Sequence, residues 1–238
     1  MTLARNAPLA RGRLRAVLFD AYGTLLDVHS VARLGETIFP GSGDALSTLW
    51  RQKQLQYSWL RTLAGSYADF SQVTGDALDY AVEMLALAMT AEARARLIAA
   101  YENLAPFPDA APALAEISRL GLPLAVLSNG TPQMLETAFR AAGLRDRFAA
   151  LLSVDAVRRY KTSPEAYSLA IARFGGAPAD FLLVSSNGWD VAGAAAFGFH
   201  TFWVNRLNAP VERMGVTPSA VGASLADLAS WLAAEAPT

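Results

Sequence analysis

The chain is expected to form an α/β fold: a Rossmann-like parallel sheet with helices on both faces, interrupted near its start by an all-helical insertion. Three observations predict this. Short apolar runs alternate with helix-length segments from Pro123 onward. One further run, Ala16 to Phe19, stands far ahead of them. Between the two, from Val28 to about Ala105, only helical patterns occur. Repeated strand–helix units favour parallel strands, because each helix must carry the chain back across the sheet. The 238 residues suffice for a core with an insertion.

In chain order, Met1 to Arg15 carries Arg5, Arg11, Arg13 and Arg15 and no acid. It contains Pro8 and Gly12 and lacks the apolar stretch of a secretory signal, so residues 1–13 are expected to be a flexible tail. The run Ala16-Val17-Leu18-Phe19 reads as a buried strand that ends on Asp20, followed by the turn Ala21-Tyr22-Gly23-Thr24. The helical block follows. Asp44 to Leu63 has Leu46, Leu49, Trp50, Tyr57 and Leu60 at helical spacing. Gly75 to Met89 and Ala91 to Leu104 are the next helices, with Thr90 as an N-cap. Trp50, Tyr57 and Trp59 are read as packing residues. Pro40-Gly41-Ser42-Gly43 and Pro106-Phe107-Pro108 punctuate this block. Residues 14–27 and 106–238 are thus expected to form the core and 28–105 a cap over the strand ends, closing a site from water.

Pro123 to Ser128 is the next strand, then a helix from Pro132 to Ala142 stopped by Gly143. Leu151 to Ser153 is a short strand, and Pro164 to Phe174 a helix with Pro at its start and Gly175-Gly176 at its end. Phe181 to Ser185 and Thr201 to Val204 are strands around a helix from about Asp190 to Phe197. Ser224 and Asp227 suggest a cap for a last helix with Leu225, Leu228 and Leu232.

Composition narrows the function. A formal net charge of −1 argues against nucleic acid as a partner. No apolar run reaches the ~18 residues of a membrane span. With no cysteine there is no disulfide, thiolate metal site or Cys nucleophile, and a reducing, cytoplasmic setting is expected. The only histidines, His29 and His200, lie outside the strand-end clusters, which argues against a Ser-His-Asp mechanism.

Open α/β sheets bind ligands at the C-terminal ends of their strands. Asp20 stands at such an end, either as a turn-capping acid or as a nucleophile. Ser128-Asn129-Gly130-Thr131 joins a strand to a helix, as an ordinary cap or as an anion site of hydroxyl, amide and helix N–H groups. Ser185-Ser186-Asn187-Gly188-Trp189-Asp190 follows a third strand and should face the same edge. Lys161, with Tyr167 six residues on, has weight only in company with these. Arg51 is either a cation suited to an anion or half of a salt bridge on its helix.

Taken in order, Asp20-Ala21-Tyr22-Gly23-Thr24, Leu127-Ser128-Asn129-Gly130, Lys161 with Tyr167, and Ser185-Ser186-Asn187 with Trp189-Asp190 resemble the haloacid dehalogenase (HAD) superfamily. Within it they resemble the type II, or (S)-2-haloacid, dehalogenases. The resemblance runs from about Leu14 and includes the stretch Leu49 to Arg61. The phosphatases of the superfamily carry a second Asp where this chain has Tyr22, and acids for magnesium where it has Ser186. A halide leaves as a stable anion and needs no proton, so Tyr22 points away from phosphate esters.

The resemblance implies hydrolysis of a short-chain (S)-2-haloacid to the (R)-2-hydroxy acid and halide. Asp20 would attack the halogen-bearing carbon with inversion, and water would then attack the carboxyl carbon of the Asp20 ester. It further implies that Thr24 and Asn187 orient Asp20 and its ester, and that Ser128 holds the substrate carboxylate with nearby backbone N–H groups, those of Ala21 and Tyr22. Arg51, Asn129 and the Trp189 ring edge would cradle the halide. Lys161 would neutralise charge, with Tyr167, Ser185 and Asp190 completing the network and Asp190 and Lys161 as candidates for water activation. It implies no cofactor, no metal, and a homodimer. Two positions depart from the family. Thr162 follows Lys161 where Pro is usual, so the Lys is less constrained. Gly188 stands where Ala is common, which could loosen the turn before Trp189. Alternatives on the same scaffold are a phosphatase, a different hydrolase, or a silent binding protein.

Overall fold

The computed structural model describes residues 11–28 and 30–234; of the tail expected for residues 1–13, residues 1–10 lie outside them, as does His29. Arg11–Arg13 form one 3₁₀ turn. Six parallel strands follow: β1 (Ala16–Phe19), β2 (Leu124–Ser128), β3 (Ala150–Ser153), β4 (Phe181–Ser185), β5 (His200–Val204) and β6 (Ala220–Gly222). They lie in the order β3-β2-β1-β4-β5-β6. The chain winds outward from β1 to β3, then returns to the other side of β1 to place β4. A crevice opens at such a reversal of strand order, beyond the C-terminal ends of the strands. Asp20, Ser128 and Ser185 are found there. β1, β2, β4 and β5 are buried along their whole lengths, as strands covered on both faces must be, and for that reason they read as unbroken apolar runs.

The helices are α1 (Ser30–Ile38), α2 (Gly43–Ala64), α3 (Phe70–Met84), α4 (Ala91–Glu102), α5 (Ala110–Ser118), α6 (Pro132–Ala141), α7 (Pro164–Phe174), α8 (Gly188–Phe197) and α9 (Leu225–Ala234). Between β1 and α5 the elements among the described residues are the helices α1–α4, with isolated bridges at Tyr22–Leu26 and Leu26–Pro106. The chain leaves and re-enters the core at one place: Asp27 N–H donates to Ala105 O (2.8 Å) and Phe107 N–H to Leu25 O (2.9 Å). No helix among the described residues is long and apolar enough to cross a membrane.

Several boundaries differ from expectation for local reasons. α3 starts at Phe70, not Gly75, because the Asp69 carboxylate accepts from Gln72 N–H and caps the helix five residues earlier. It also ends at Met84, not Met89. α8 starts at Gly188, so Gly188 and Trp189 form its first turn and do not lie in a turn before it. The Thr90 cap is as expected, accepting from Ala93 N–H. So is the start of α9, where Ser224 and Asp227 bond reciprocally. The sequence reading assigned no element to α1, α5 or β6. At the head of α5, Asp109 accepts from Arg206 and from Leu225 N–H, tying α5, α9 and the segment after β5 together.

Candidate active site

Asp20 is the first residue past β1 and is 5% exposed. Gly23 adopts a left-handed φ of 88°, which turns the chain back so that Thr24 faces Asp20. The two carboxylate oxygens have unlike surroundings. Oδ2 accepts from Asn187 Nδ2 (2.8 Å), Thr24 Oγ1 (3.1 Å) and Ser185 Oγ (3.4 Å). Among the described residues Oδ1 accepts from Lys161 Nζ alone, at 3.1 Å. Three donors occupy one oxygen, and the other keeps lone pairs for reaction.

Lys161 is fully buried and bridges two acids, reaching Asp190 Oδ2 at 2.8 Å. The hydroxyl of Tyr167 donates to Asp190 Oδ1 (2.9 Å), so both oxygens of that buried carboxylate are engaged. Burial opposes the charge on Lys161, but Asp190 and Asp20 outweigh it and hold the ammonium pKa above its ordinary value. Burial pushes the Asp190 carboxyl up against the pull of Lys161. It pushes the Tyr167 hydroxyl up as well, with Asp190 adding to the effect. The slack expected from Thr162 is not observed at Lys161: its backbone N–H donates to Asn129 Oδ1 (3.0 Å). That bond also fixes the Asn129 amide, leaving Nδ2 free to donate to a ligand.

At the end of β2, Ser128 Oγ accepts from Gly130 N–H (3.2 Å), and its own proton has no acceptor among the described residues. Among those residues the N–H groups of Ala21 and Tyr22 also make no backbone hydrogen bond. These donors flank Asp20 and can receive a carboxylate. The Tyr22 ring packs on Phe70 and Tyr101, and its buried hydroxyl has no hydrogen-bond partner among the described residues. Burial drives that hydroxyl far above its ordinary pKa, so it keeps its proton. Tyr22 O accepts from Asn187 Nδ2 (3.2 Å) and Arg51 Nη2 (3.5 Å). Arg51 therefore reaches the strand edge from α2; it is half-buried and, among the described residues, makes no salt bridge. Trp189 meets Trp59 edge-on at 5.5 Å between ring centres. Gly188 leaves room for Glu212, whose Cγ lies 3.0 Å from where a Cβ would stand. Hydrogen bonds thus join Asp20, Thr24, Lys161, Tyr167, Ser185, Asn187 and Asp190 in one network, whereas Trp189 is placed by its contact with Trp59.

Gly193 was not foreseen, although a Gly inside a helix is a visible signal. A Cβ there would lie 2.6 Å from the Tyr167 hydroxyl and 2.7 Å from Thr162 Cβ. Helix propensity alone would make Gly193→Ala stabilising by up to ~1 kcal/mol. We expect the reverse, a loss of about 1–3 kcal/mol in urea unfolding, because Tyr167 has to move off Asp190.

Among the described residues no group of three or more His, Asp or Glu side chains is arranged to hold a metal ion. A family model for haloacid dehalogenase-like hydrolases matches residues 14–198. The chain belongs to that family. It is 48% identical over 205 residues to an (S)-2-haloacid dehalogenase of Pseudomonas sp. strain YL, covering 86% of this chain and 88% of the relative. It is 50% identical over 195 residues to one from Xanthobacter autotrophicus, covering 82% and 76%. A solved L-2-haloacid dehalogenase superposes with a TM-score of 0.91 at 51% identity, over 93% of this chain and 99% of that one. The Xanthobacter enzyme with chloropropionic acid covalently bound superposes with a TM-score of 0.88 at 43% identity, over 94% and 100%.

Proposed function

We propose that this protein is an (S)-2-haloacid dehalogenase, a hydrolase acting on carbon–halide bonds through a covalent Asp20 ester. The observation that carries the reading is the unequal surroundings of the two Asp20 oxygens. Oδ1 attacks C2 of the haloacid from the side opposite the halogen. The C–X bond breaks with its electron pair leaving on the halide, and an Oδ1–C2 ester forms. Attack by one carboxylate on a substrate bearing another meets repulsion of about 4 kcal/mol at ~4 Å and an effective dielectric of ~20. Lys161 and Arg51 offset it. Ser128 and the N–H groups of Ala21 and Tyr22 hold the substrate carboxylate. Arg51, Asn129 Nδ2 and the Trp189 edge receive the halide, where negative charge grows only as the bond breaks.

In the second half, water attacks the ester carbon and charge develops on Oδ2. Thr24, Ser185 and Asn187 already donate to that oxygen, so the groups that orient the nucleophile become its oxyanion hole. The oxygen that departs with the product is Oδ1, next to Lys161, which is positioned to protonate it; of the two protons on the attacking water, one restores the Lys161 ammonium and the other is lost. Asp190 acts through Lys161, since its oxygens are held by Lys161 and Tyr167. One proton per turnover is released to solvent along with the halide. A phosphatase would need an acid at Tyr22 to protonate a leaving alkoxide, and that hydroxyl keeps its proton.

The reading includes α1–α4 as a cap closing over Asp20, a cytoplasmic setting, and a homodimer. Exposed Leu60, Leu63 and Met84 on α2 and α3 offer apolar surface for such contacts. The test is halide release from each enantiomer of 2-chloropropionate with EDTA present. Release from the (S) form alone, giving (R)-lactate, is expected; no release from either, by folded protein, would remove the reading.

A further inference from the structure

The buried face of α2 runs through Leu46, Trp50, Gln54 and Ser58, four residues apart. A glutamine on such a stripe is costly unless every polar atom is paired. Gln54 is fully buried and paired at both ends. Its Oε1 accepts from Arg51 Nη1 (2.8 Å) and from the Tyr101 hydroxyl (2.9 Å). Its Nε2 donates to Thr74 Oγ1 (2.7 Å), whose own proton goes to Phe70 O (2.6 Å). The amide therefore has one allowed orientation: Arg51 can only donate and the Thr74 hydroxyl is committed, so the acceptor must face Arg51. Tyr101 also stands 3.4 Å from Arg51 Nη1. Gln54 of α2 and Tyr101 of α4 thus hold one edge of the guanidinium, Thr74 of α3 fixes Gln54 from behind, and the other edge is left facing Tyr22 O and the strand ends.

We propose that Gln54 is the positioning residue for halide departure: it anchors one Arg51 nitrogen so that the opposite edge meets the leaving group. This rests on the reading of Arg51 as the halide's cation. An arginine held before the bond breaks loses no freedom as charge appears, whereas a mobile one would have to be ordered within the transition state. Chloride carries its charge more compactly than bromide and leaves less readily, so it depends more on a fixed donor. A residue that only packs the helices would affect both substrates alike.

The test compares kcat/KM for (S)-2-chloro- and (S)-2-bromopropionate in wild type, Gln54→Met, Tyr101→Phe and Arg51→Lys, each checked for folding by circular dichroism. kcat/KM covers steps up to halide loss. We expect Gln54→Met to lower the chloride value by ~10–100-fold, the range for a lost hydrogen bond to a charged group. The bromide value should fall several-fold less, and Tyr101→Phe should shift the ratio the same way by a smaller amount. If Arg51→Lys alters the chloride-to-bromide ratio and Gln54→Met does not, the proposal is overturned and the Arg51 reading stands. If neither alters it, the role of Arg51 itself falls and the proposal with it. Should Gln54→Met not fold, Tyr101→Phe decides: an unchanged ratio there overturns the proposal.

Discussion

Asp20→Asn is expected to abolish halide release, lowering kcat/KM by at least ~10⁴-fold, as loss of a covalent nucleophile does elsewhere. The amide keeps the size of the side chain but cannot form the ester. Its oxygen will occupy the Oδ2 position, because Asn187, Thr24 and Ser185 all donate there. Its NH₂ then faces the Lys161 ammonium, a donor against a donor at a spacing of 3.1 Å in the parent. A stability loss of about 1–3 kcal/mol should accompany the lost activity. Lys161 keeps Asp190 as a partner, so the fold should survive. Halide titration and urea unfolding of the same preparation check both halves. Residual release above the uncatalysed rate would point to direct attack by water.

Lys161→Met should be the most destabilising single change at the site. It leaves Asp20 and Asp190 buried without their shared cation, a situation that ordinarily costs about 3–5 kcal/mol. The buried pair can relieve it only by taking up a proton, and the Asp190 carboxyl, which burial already pushes up, will then rise further above its unfolded value. The sign follows: a group with a raised folded pKa contributes stability that is present below the unfolded pKa and lost as pH rises through the folded one. The variant should therefore be closest to wild type in stability near pH 4–5 and fall away towards pH 8. In wild type burial also pushes the Asp190 carboxyl up, but the Lys161 ammonium opposes it, so the same fall should be smaller. Unfolding curves across that range test it; parallel curves for the two proteins would contradict the bridging role. Activity should fall with stability, because Lys161 also flanks the attacking oxygen.

Much of this site was legible because the chemistry sits where strands end. Buried parallel strands read as apolar runs, so Phe19-Asp20, Leu127-Ser128 and Val184-Ser185 each mark the point where a covered strand meets a polar edge. The topology then brings those points together. β6 was not legible: it is a three-residue edge strand with Val221 exposed, and too short to show a pattern. The start of α3 was misplaced because Gly75 resembles a boundary. The structure keeps glycine there inside the helix, 3.0 Å from Arg94 Nη2 at the position a Cβ would take. Gln54, Thr74 and Tyr101 were invisible for another reason. Their bonding depends on how α2, α3 and α4 pack, and polar residues on helices are ordinarily read as solvent-facing. The stripe Leu46–Trp50–Gln54–Ser58 was the available signal, since it sets two polar residues in line with the buried ones. At Gly188, in the first turn of α8, Glu212 Cγ lies 3.0 Å from where a Cβ would stand.

The central claim is that Asp20, not water, takes the halogen's place on the substrate carbon. A single turnover in H₂¹⁸O, with enzyme in excess over (S)-2-chloropropionate, tests it most directly. The account predicts lactate whose hydroxyl oxygen is unlabelled, because it comes from Asp20 Oδ1. It predicts a peptide containing Asp20 that is heavier by one ¹⁸O, because water attacks the ester carbon. Label in the lactate hydroxyl at the first turnover, with the Asp20 peptide unchanged, would contradict it.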